Sequence, residues 1–255
     1  MLNLRVVKLG GNELDRPEWM EECARALRQA APVVVVHGGG KAVDALSRRL
    51  GLPVEKRDGL RVTTADVAEA VEMTLAGAIS RRLVSTLRRA GLDALGLAGV
   101  DGGLFRARVA PGGLGYVGEI VEVRTALLES LLLAGFTPVI APVAPPADAE
   151  AAVPLNINAD YAAAAVAGAL GAGELLFVSD VPGVEADGVA QPAIAVREIE
   201  ALIANGVATN GMVTKLRAAS QALTSGARAV RIGDSSMLSD PTAGTRLLAA
   251  THQPA

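Results

Sequence analysis

Short apolar runs rich in Val, Ile and Leu alternate along this chain with longer segments of helical spacing, and this rhythm restricts the possible folds most strongly. The run Val33–His37 opens with four valines and is apolar on both faces, as strands buried inside a parallel sheet are. Further strands are predicted at 4–9, 92–97, 138–143, 175–179 and 229–232. Helices are predicted at 16–30, 41–50, 64–90, 125–134, 159–170 and 214–225. The alternation predicts an α/β fold with a mostly parallel central sheet covered by helices on both sides.

Two segments interrupt this rhythm. Between 102 and 122, Val, Ile, Phe and Tyr alternate around glycine-rich turns, which predicts an antiparallel hairpin over or beside the main sheet. The stretch 142–152 is rich in Pro, Ala and Asp. It marks either an internal boundary or one long hairpin loop.

Composition and charge exclude several classes of protein. A chain of 255 residues with 51% hydrophobic and 20% charged residues folds, as one α/β domain or two small lobes. With 2% aromatic residues and a formal net charge of −3, neither base stacking nor a basic field for nucleic acid or a membrane surface is expected. The longest uncharged stretch, 130–147, contains four prolines, and no membrane span or signal peptide is predicted. Cys23 is the only cysteine, which excludes an intrachain disulfide and a multi-thiolate metal site and favours a reducing cytoplasm.

Four glycine-bearing turns, each expected after a strand, lie at 8–11, 37–41, 179–183 and 210–212. Ligands of open parallel sheets bind outside the carboxyl ends of the strands. Glycine lets backbone N–H groups approach an anion there, and a following helix adds its positive N-terminal end. Together the turns predict a phosphate-binding cradle, although each one alone is equally consistent with a tight turn. The sequence GGGKAV lacks P-loop spacing, and no G-x-G-x-x-G follows the first strand.

Eight segments in unbroken order resemble the amino acid kinase family, and within it the kinases that act on N-acetylglutamate. These segments are VVKLGGNEL (6–14), VVVVHGGGKAVD (33–44), DGLRVTTAD (58–66), LGYVGEIVEV (114–123), LNINADYAAAAVA (155–167), LLFVSDVPGV (175–184), NGMVTKLRAA (210–219) and GTRL (244–247). The resemblance implies a three-layer αβα sandwich with a hairpin excursion. It also implies transfer of the ATP γ-phosphoryl group to the side-chain carboxylate of N-acetyl-L-glutamate, a step of arginine biosynthesis.

Two other functions of the same fold remain open. One is a kinase acting on carrier-protein-linked aminoadipate in lysine biosynthesis, and the other is a noncatalytic nucleotide or amino-acid sensor. The segments HGGGK and GLRVT favour the free acetylated amino acid. Both lysines of the resemblance and its aspartate are present, which argues against a sensor.

The resemblance assigns catalysis to Lys8, Lys215 and Asp160. A carboxylate must approach a phosphoryl group that already carries negative charge, so fixed cations have to remove the repulsion. Lys8 is expected on the transferring phosphoryl oxygens, and Lys215 is expected on the leaving β–γ oxygen. Asp160 is expected to orient both lysines. The acceptor carboxyl is already ionised at neutral pH, so no general base is needed, and His37 is interpreted as structural.

The resemblance also implies the binding residues. Gly39 and Gly40 would offer backbone N–H groups to the acceptor, Arg61 would bind its α-carboxylate, and Asn156 would hydrogen-bond the same end. Mg²⁺ would be held through the ATP phosphates without a protein ligand. The nucleotide is expected on Gly10, Gly11, Ser179, Asp180, Val181, Pro182, Gly183, Val184, Val207, Ala208, Thr209, Gly211 and Met212.

A single family domain over 1–255 is expected, with an acceptor-binding lobe at about 1–170 and a nucleotide-binding lobe at about 171–255. The chain begins almost directly with its first strand, so we expect no N-terminal helix of the kind that interlaces dimers in the family's arginine-inhibited hexamers. The expected assembly is an arginine-insensitive homodimer paired through the helix over 64–90, with the sheet continued across subunits. Plain core packing is the alternative role for that helix.

Overall fold

The computed structural model describes residues 4–57, 59–147, 153–186, 188–209 and 211–249. The strands are β1 (Arg5–Leu9), β2 (Val33–His37), β3 (Lys56–Arg57), β4 (Leu60–Arg61), β5 (Ala94–Ala98), β6 (Phe105–Val109), β7 (Val117–Val123), β8 (Thr137–Ala141), β9 (Val143–Ala144), β10 (Leu155–Ile157), β11 (Glu174–Val178), β12 (Glu185–Ala186), β13 (Val189–Ala190), β14 (Ala193–Ala195), β15 (Val230–Gly233) and β16 (Thr245–Leu248). The α-helices are α1 (Pro17–Ala30), α2 (Gly40–Arg49), α3 (Ala65–Glu72), α4 (Ser80–Arg89), α5 (Thr125–Leu133), α6 (Ala159–Ala169), α7 (Ile199–Ala204) and α8 (Gly211–Thr224).

Eight strands form the central sheet in the order β14-β16-β15-β11-β1-β2-β8-β5. Neighbouring strands are parallel except β15 and β16. Strands β1, β2 and β11 are in register, so that Leu9 lies beside His37 on one side and Val178 on the other. The carboxyl ends of these three strands therefore meet at one edge, as the sequence predicted.

The sheet is covered on both faces by apolar clusters. Successive residues of β1 divide between them: Val6 packs in the cluster that includes α6 and α8, and Val7 packs in the cluster that includes α1 and α4. Alternation of side chains across a strand produces this division. The α/β prediction of a mostly parallel sheet between two helical layers is confirmed.

A second sheet of order β6-β7-β10-β9 lies outside the central one. Strands β6 and β7 pair antiparallel from Phe105↔Val123 to Val109↔Gly118, which confirms the predicted hairpin. Strand β10 pairs parallel with β7 and antiparallel with β9. The proline-rich stretch 142–152 thus contains β9 and leads into a β9–β10 hairpin; its residues 148–152 lie outside the described ranges.

Two predictions about the elements were incomplete or wrong. The helix predicted over 64–90 consists of α3, a π-helical segment Met73–Ile79 and α4. The glycine turn predicted at 210–212 does not follow a strand, because the short helix α7 and a turn precede it. Six residues are too few to show a helical period in the sequence, which is why α7 was missed. Asn210 itself lies outside the described residues.

Among the described helices, none combines the length and apolar character needed to cross a membrane.

Candidate active site

Lys8 is a buried cation near the carboxyl end of β1. Its Nζ lies 2.9 Å from Oδ1 of Asp160. Gly10 makes room for this side chain, because a Cβ at that position would stand 2.0 Å from Nζ of Lys8. The Gly10 N–H donates to the carbonyl of Val178 at 3.1 Å and thereby ties β1 to β11. A side chain at position 10 would therefore force the ammonium group of Lys8 out of its present position.

Asp160 lies in the first turn of α6, where Asn158 caps the helix. The Asn158 Oδ1 accepts hydrogen bonds from the N–H groups of Asp160 and Tyr161 at 2.9 and 3.3 Å. The second carboxylate oxygen of Asp160, Oδ2, lies 3.7 Å from Nζ of Lys215 on α8. One buried carboxylate therefore joins two ammonium groups, one on each oxygen. Lys8, Asp160 and Lys215 are called the lysine cluster below.

The lysine cluster carries two positive charges and one negative charge in a buried place. Burial alone would raise the pKa of Asp160, but the ammonium groups of Lys8 and Lys215 outweigh it and hold that pKa below its ordinary value. Burial lowers the pKa of Lys215; the Asp160 carboxylate opposes this shift, the charge of Lys8 adds to it, and Asp180 opposes it. With both lysines protonated, the cluster has a net charge of +1 and attracts an anion.

A cavity of about 310 Å³ lies against Lys8 and Asp160. Its volume is within the range of sites that hold small molecules. All four residues predicted for the acceptor line it, namely Gly39, Gly40, Arg61 and Asn156. Its apolar wall is formed by Val43, Val71, Leu75, Val117 and Ile157. Lys8 and Asp160 thus share one cavity with the whole predicted acceptor set.

Arg61 on β4 lines this cavity, and its two terminal guanidinium nitrogens differ in their hydrogen bonds. Its Nη2 donates to the Gly40 carbonyl at 3.2 Å and to the Asp44 carboxylate. Its Nη1 is buried and has no partner among the described residues. Asn156 donates through Nδ2 to Oγ1 of Thr63 at 3.1 Å. The cavity wall therefore contains a desolvated cationic donor suited to a carboxylate.

Gly39 has a backbone conformation that side chains rarely adopt, with φ of 154°. A Cβ there would stand 2.1 Å from Cδ1 of Ile79 in the π-helical segment. The glycine-rich turn and that segment thus approach each other closely. A larger residue at 39 would be strained by this φ and would push against the side chains of Ile79 and Leu75.

The residues predicted for the nucleotide fall in three places. Gly10 and Gly11 follow β1, Ser179–Val184 follow β11, and the last group consists of Val207, Ala208 and Thr209 after α7 with Gly211 and Met212 at the start of α8. Ser179 donates its N–H to Gly233 at 2.8 Å, and its buried Oγ has no partner among the described residues. Within the described ranges, none of the predicted nucleotide residues lines the acceptor cavity. The negative charge of Asp180 acts on Lys215, which places the turn after β11 next to the lysine cluster.

Most of the other residues predicted to bind the nucleotide form hydrogen bonds within the protein. The Val184 N–H donates to Oγ1 of Thr245 at 2.8 Å. The N–H groups of Val207 and Ala208 both donate to the Leu202 carbonyl, at 3.0 and 3.1 Å. The backbone of Thr209 accepts from the Met212 N–H at 3.0 Å. These bonds fix the turn that contains Val181, Pro182 and Gly183 and the segment that leads into Gly211, the first residue of α8.

His37 is fully buried at the end of β2, and its Nδ1 lies 3.0 Å from the Gly38 carbonyl oxygen. Burial lowers the pKa of His37 to about 4, so the ring is neutral at pH 7. Across the ranges that the structure describes, no group of three or more His, Cys, Asp or Glu residues could hold a metal ion.

Sequence reasoning missed four polar residues that line the cavity: Lys41, Asp44, Lys56 and Asn158. For two of them, the position in the sequence could have indicated a place in the site. Asp44 lies four residues after Gly40, hence on the same face of α2. Asn158 directly precedes the predicted helix at 159, which is the position of an N-cap.

Residues 3–234 match the sequence model described as the amino acid kinase family. This chain belongs to the amino acid kinase family. The amino acid kinase is 47% identical over 250 residues to the acetylglutamate kinase of Chloroflexus aurantiacus, covering 96% of this chain and 97% of that one. It is 43% identical over 228 residues to the acetylglutamate kinase of Bacillus thuringiensis, covering 89% and 88%.

Solved structures share its fold. The crystal structure of smu.665 from Streptococcus mutans superposes with a TM-score of 0.85 at 29% identity, covering 97% of this chain and 99% of that one. Carbamate kinase from Giardia lamblia bound to AMP-PNP superposes with a TM-score of 0.74 at 18% identity, covering 98% and 100%. The second likeness is one of fold alone.

Proposed function

We propose that this amino acid kinase transfers the γ-phosphoryl group of ATP to the side-chain carboxylate of N-acetyl-L-glutamate, a step of arginine biosynthesis. The observation that carries the proposal is the joining of two buried lysines to Asp160, against a cavity that is also lined by Arg61, whose Nη1 is unpaired among the described residues. The near full-length similarity to two acetylglutamate kinases supports this acceptor.

In the proposed reaction, an oxygen of the acceptor carboxylate forms a bond to the γ-phosphorus while the bond from that phosphorus to the β–γ bridging oxygen breaks. ADP leaves, and the acetylated amino acid becomes an acyl phosphate. Lys8 binds the transferring phosphoryl oxygens, and Lys215 neutralises charge on the leaving oxygen. An ion pair about 4 Å apart is worth about 4 kcal/mol at an effective dielectric near 20, so two such cations supply a large electrostatic term.

Asp160 attracts both ammonium groups, offsets their mutual repulsion and orients them, and it is a positioning residue rather than a group that touches the phosphoryl. Each of its oxygens contacts one lysine, so its rotation would disturb both. Arg61 binds the α-carboxylate of the acceptor, with Asn156 and the N–H groups of Gly39 and Gly40 completing the site. The acceptor carboxylate is anionic at neutral pH and attacks without a base.

The second substrate is ATP with Mg²⁺ on its phosphates. We place the nucleotide on the turns that follow β1 and β11 and on the α7–α8 connection. The N-terminal turn of α8, which carries Lys215, offers backbone N–H groups to an anion. Residues from about 171 onward thus form the nucleotide-binding lobe, and residues up to about 170 form the acceptor-binding lobe.

We also propose a cytoplasmic homodimer whose two copies pair through α3, the π-helical segment and α4. Met73 of that segment is 54% exposed, and this pairing would cover it. The neighbouring strand β5 ends the central sheet and leaves an edge there. Light scattering on the purified protein measures the mass directly, and a monomer at micromolar concentration would contradict the dimer.

The test of function is ADP release with five acceptors side by side: N-acetyl-L-glutamate, free glutamate, aspartate, carbamate and UMP. We expect turnover with N-acetyl-L-glutamate and an acyl phosphate that hydroxylamine traps as the hydroxamate. Preference for carrier-linked aminoadipate in a competition assay would move the protein to lysine biosynthesis. ATP binding without turnover of any acceptor would indicate a sensor.

A further inference from the structure

The cavity wall holds a second aspartate that joins two cations. Asp44 on α2 contacts Nη2 of Arg61 through Oδ1, and its Oδ2 accepts from Nζ of Lys56 at 3.2 Å. The side chains of Asp44 and Arg61 are largely buried, whereas that of Lys56 is 47% exposed. Arg61, Asp44 and Lys56 are called the hairpin cluster below.

The two cations of the hairpin cluster belong to one short hairpin. Lys56 on β3 and Arg61 on β4 are direct cross-strand partners. Each strand has two residues, too few to hold a hairpin in place alone. One carboxylate on α2 therefore fastens both strands of the hairpin to the helix that follows the glycine-rich turn.

The contacts of Arg61 are divided unequally between its two terminal nitrogens. Nη2 donates both to Asp44 and to the Gly40 carbonyl, while Nη1 has no partner among the described residues. A guanidinium is planar, so two acceptors on one nitrogen fix the direction of the other. The two acceptors belong to residues four apart on α2, so one helix supplies an acceptor for each N–H group of Nη2.

A carboxylate beside an anion-binding site would by itself repel an anionic acceptor. A carboxylate at position 44 is therefore expected to contribute to acceptor binding in another way that outweighs this repulsion. We propose that Asp44 is a positioning residue for acceptor recognition, which turns Nη1 of Arg61 toward the cavity and fastens the β3–β4 hairpin against α2. This role rests on the proposed function, since the acceptor carboxylate is the group that Nη1 meets.

The first test compares steady-state kinetics of Asp44→Ala and Asp44→Asn with the unmodified protein. The acceptor KM should rise about ten-fold in Asp44→Ala, as expected for loss of one charge-assisted hydrogen bond, while kcat and the KM for ATP stay nearly constant. Asp44→Asn keeps the shape and should show a smaller rise. The matched control is Asp93→Asn, which removes a carboxylate from an exposed ion pair with Arg88 outside the cavity.

A double-mutant cycle separates positioning from a general effect on the fold. In an Arg61→Ala background, Asp44→Ala should not raise the acceptor KM further, because no guanidinium remains to be positioned. Independent, multiplicative effects of the two substitutions would overturn the proposal. A lower acceptor KM in Asp44→Asn would also overturn it, because repulsion would then be the main effect of Asp44.

A third measurement does not depend on the acceptor. Hydrogen exchange of the ligand-free protein should be faster over the β3–β4 hairpin in Asp44→Ala than in the unmodified protein or in Asp93→Asn. Unchanged exchange there would overturn the proposal even if N-acetyl-L-glutamate is turned over. Conversely, faster exchange without any turnover of N-acetyl-L-glutamate would leave the anchoring by Asp44 standing and refute the proposed substrate.

Discussion

The lysine cluster and the hairpin cluster are built alike and buried differently. In each, one aspartate in the first half of a helix that follows a strand joins two cations, one on each carboxylate oxygen. In the lysine cluster no side chain is more than 13% exposed, whereas Lys56 of the hairpin cluster is 47% exposed. Desolvated charges interact more strongly than solvated ones, so the two clusters should respond differently to the same substitution.

The secondary-structure elements that carry the two clusters also differ. The lysine cluster draws its members from the central strand β1 and from α6 and α8, which pack side by side. The hairpin cluster depends on two two-residue strands outside the central sheet. Groups that stabilise a transition state act most strongly when they are preorganised and shielded from water, which describes the lysine cluster better than the hairpin cluster. This difference agrees with the proposal, in which the lysine cluster acts in the chemistry and the hairpin cluster in acceptor recognition.

The largest effect is expected from removing either buried lysine. Lys8→Ala and Lys215→Ala should each lower kcat by about 10² or more, the scale for loss of one preorganised electrostatic group. Both variants should remain folded and still bind ATP. Steady-state ADP release and calorimetric ATP binding check this, with Arg106→Ala on β6 as an exposed-cation control. Near-normal turnover in either lysine variant would remove that lysine from the chemistry.

Asp160→Asn tests whether the aspartate of the lysine cluster acts through its lysines. Burial already lowers the pKa of Lys215, and the Asp160 carboxylate limits that shift. Without the carboxylate, the pKa of Lys215 falls further, and Lys215 loses its proton at a lower pH. The alkaline limb of the kcat profile should therefore move to lower pH than in the unmodified protein.

The hairpin cluster provides the control for that pH profile. Asp44→Asn should leave the alkaline limb of kcat in place, since the ion pairs of Asp44 are with Arg61 and Lys56 and Lys215 pairs with Asp160. If the alkaline limb of the kcat profile does not move in Asp160→Asn, Asp160 does not act through the pKa of Lys215. If it moves equally in Asp44→Asn, the effect is not specific to the lysine cluster.

Arg61→Ala should act on binding rather than on turnover. The expected loss is about 1.5–3 kcal/mol, the value of a hydrogen bond to a charged group, and it should raise the acceptor KM by roughly ten-fold to a hundred-fold. The KM for ATP should change little. Initial rates over a matrix of acceptor and ATP concentrations measure both constants. An unchanged acceptor KM would place the α-carboxylate elsewhere in the cavity.

Much of the fold could be predicted from the sequence because its strands are apolar runs bounded by glycine. The four valines before His37 form β2 at the predicted bounds, and the predicted run 175–179 corresponds to Glu174–Val178. The π-helical segment Met73–Ile79 could not be predicted, because its spacing differs from that of an α-helix by about one residue per turn. Strands β3 and β4 are too short for any alternation to appear.

The site was predictable to the extent that its residues lie in local motifs. Lys8 before two glycines and Asp160 at a helix start could each be singled out through the family resemblance, and the structure brings them within 2.9 Å. The pairing of Arg61 with Asp44 could not be predicted, because it joins residues 17 positions apart across a hairpin without a sequence pattern. Buried polar partners of this kind are set by tertiary packing.

The smallest effect is expected from Lys56→Met, which removes the exposed arm of the hairpin cluster and keeps the aliphatic bulk. Exposed ion pairs contribute about 0.2–1 kcal/mol, so the acceptor KM should rise by less than roughly five-fold. High salt should weaken the same ion pair in the unmodified protein and reduce the difference between the two proteins, since exposed charges are screened. A rise as large as that of Arg61→Ala would mean that Lys56 contacts the acceptor directly, and the hairpin cluster would then bind through both of its cations rather than through Arg61 alone.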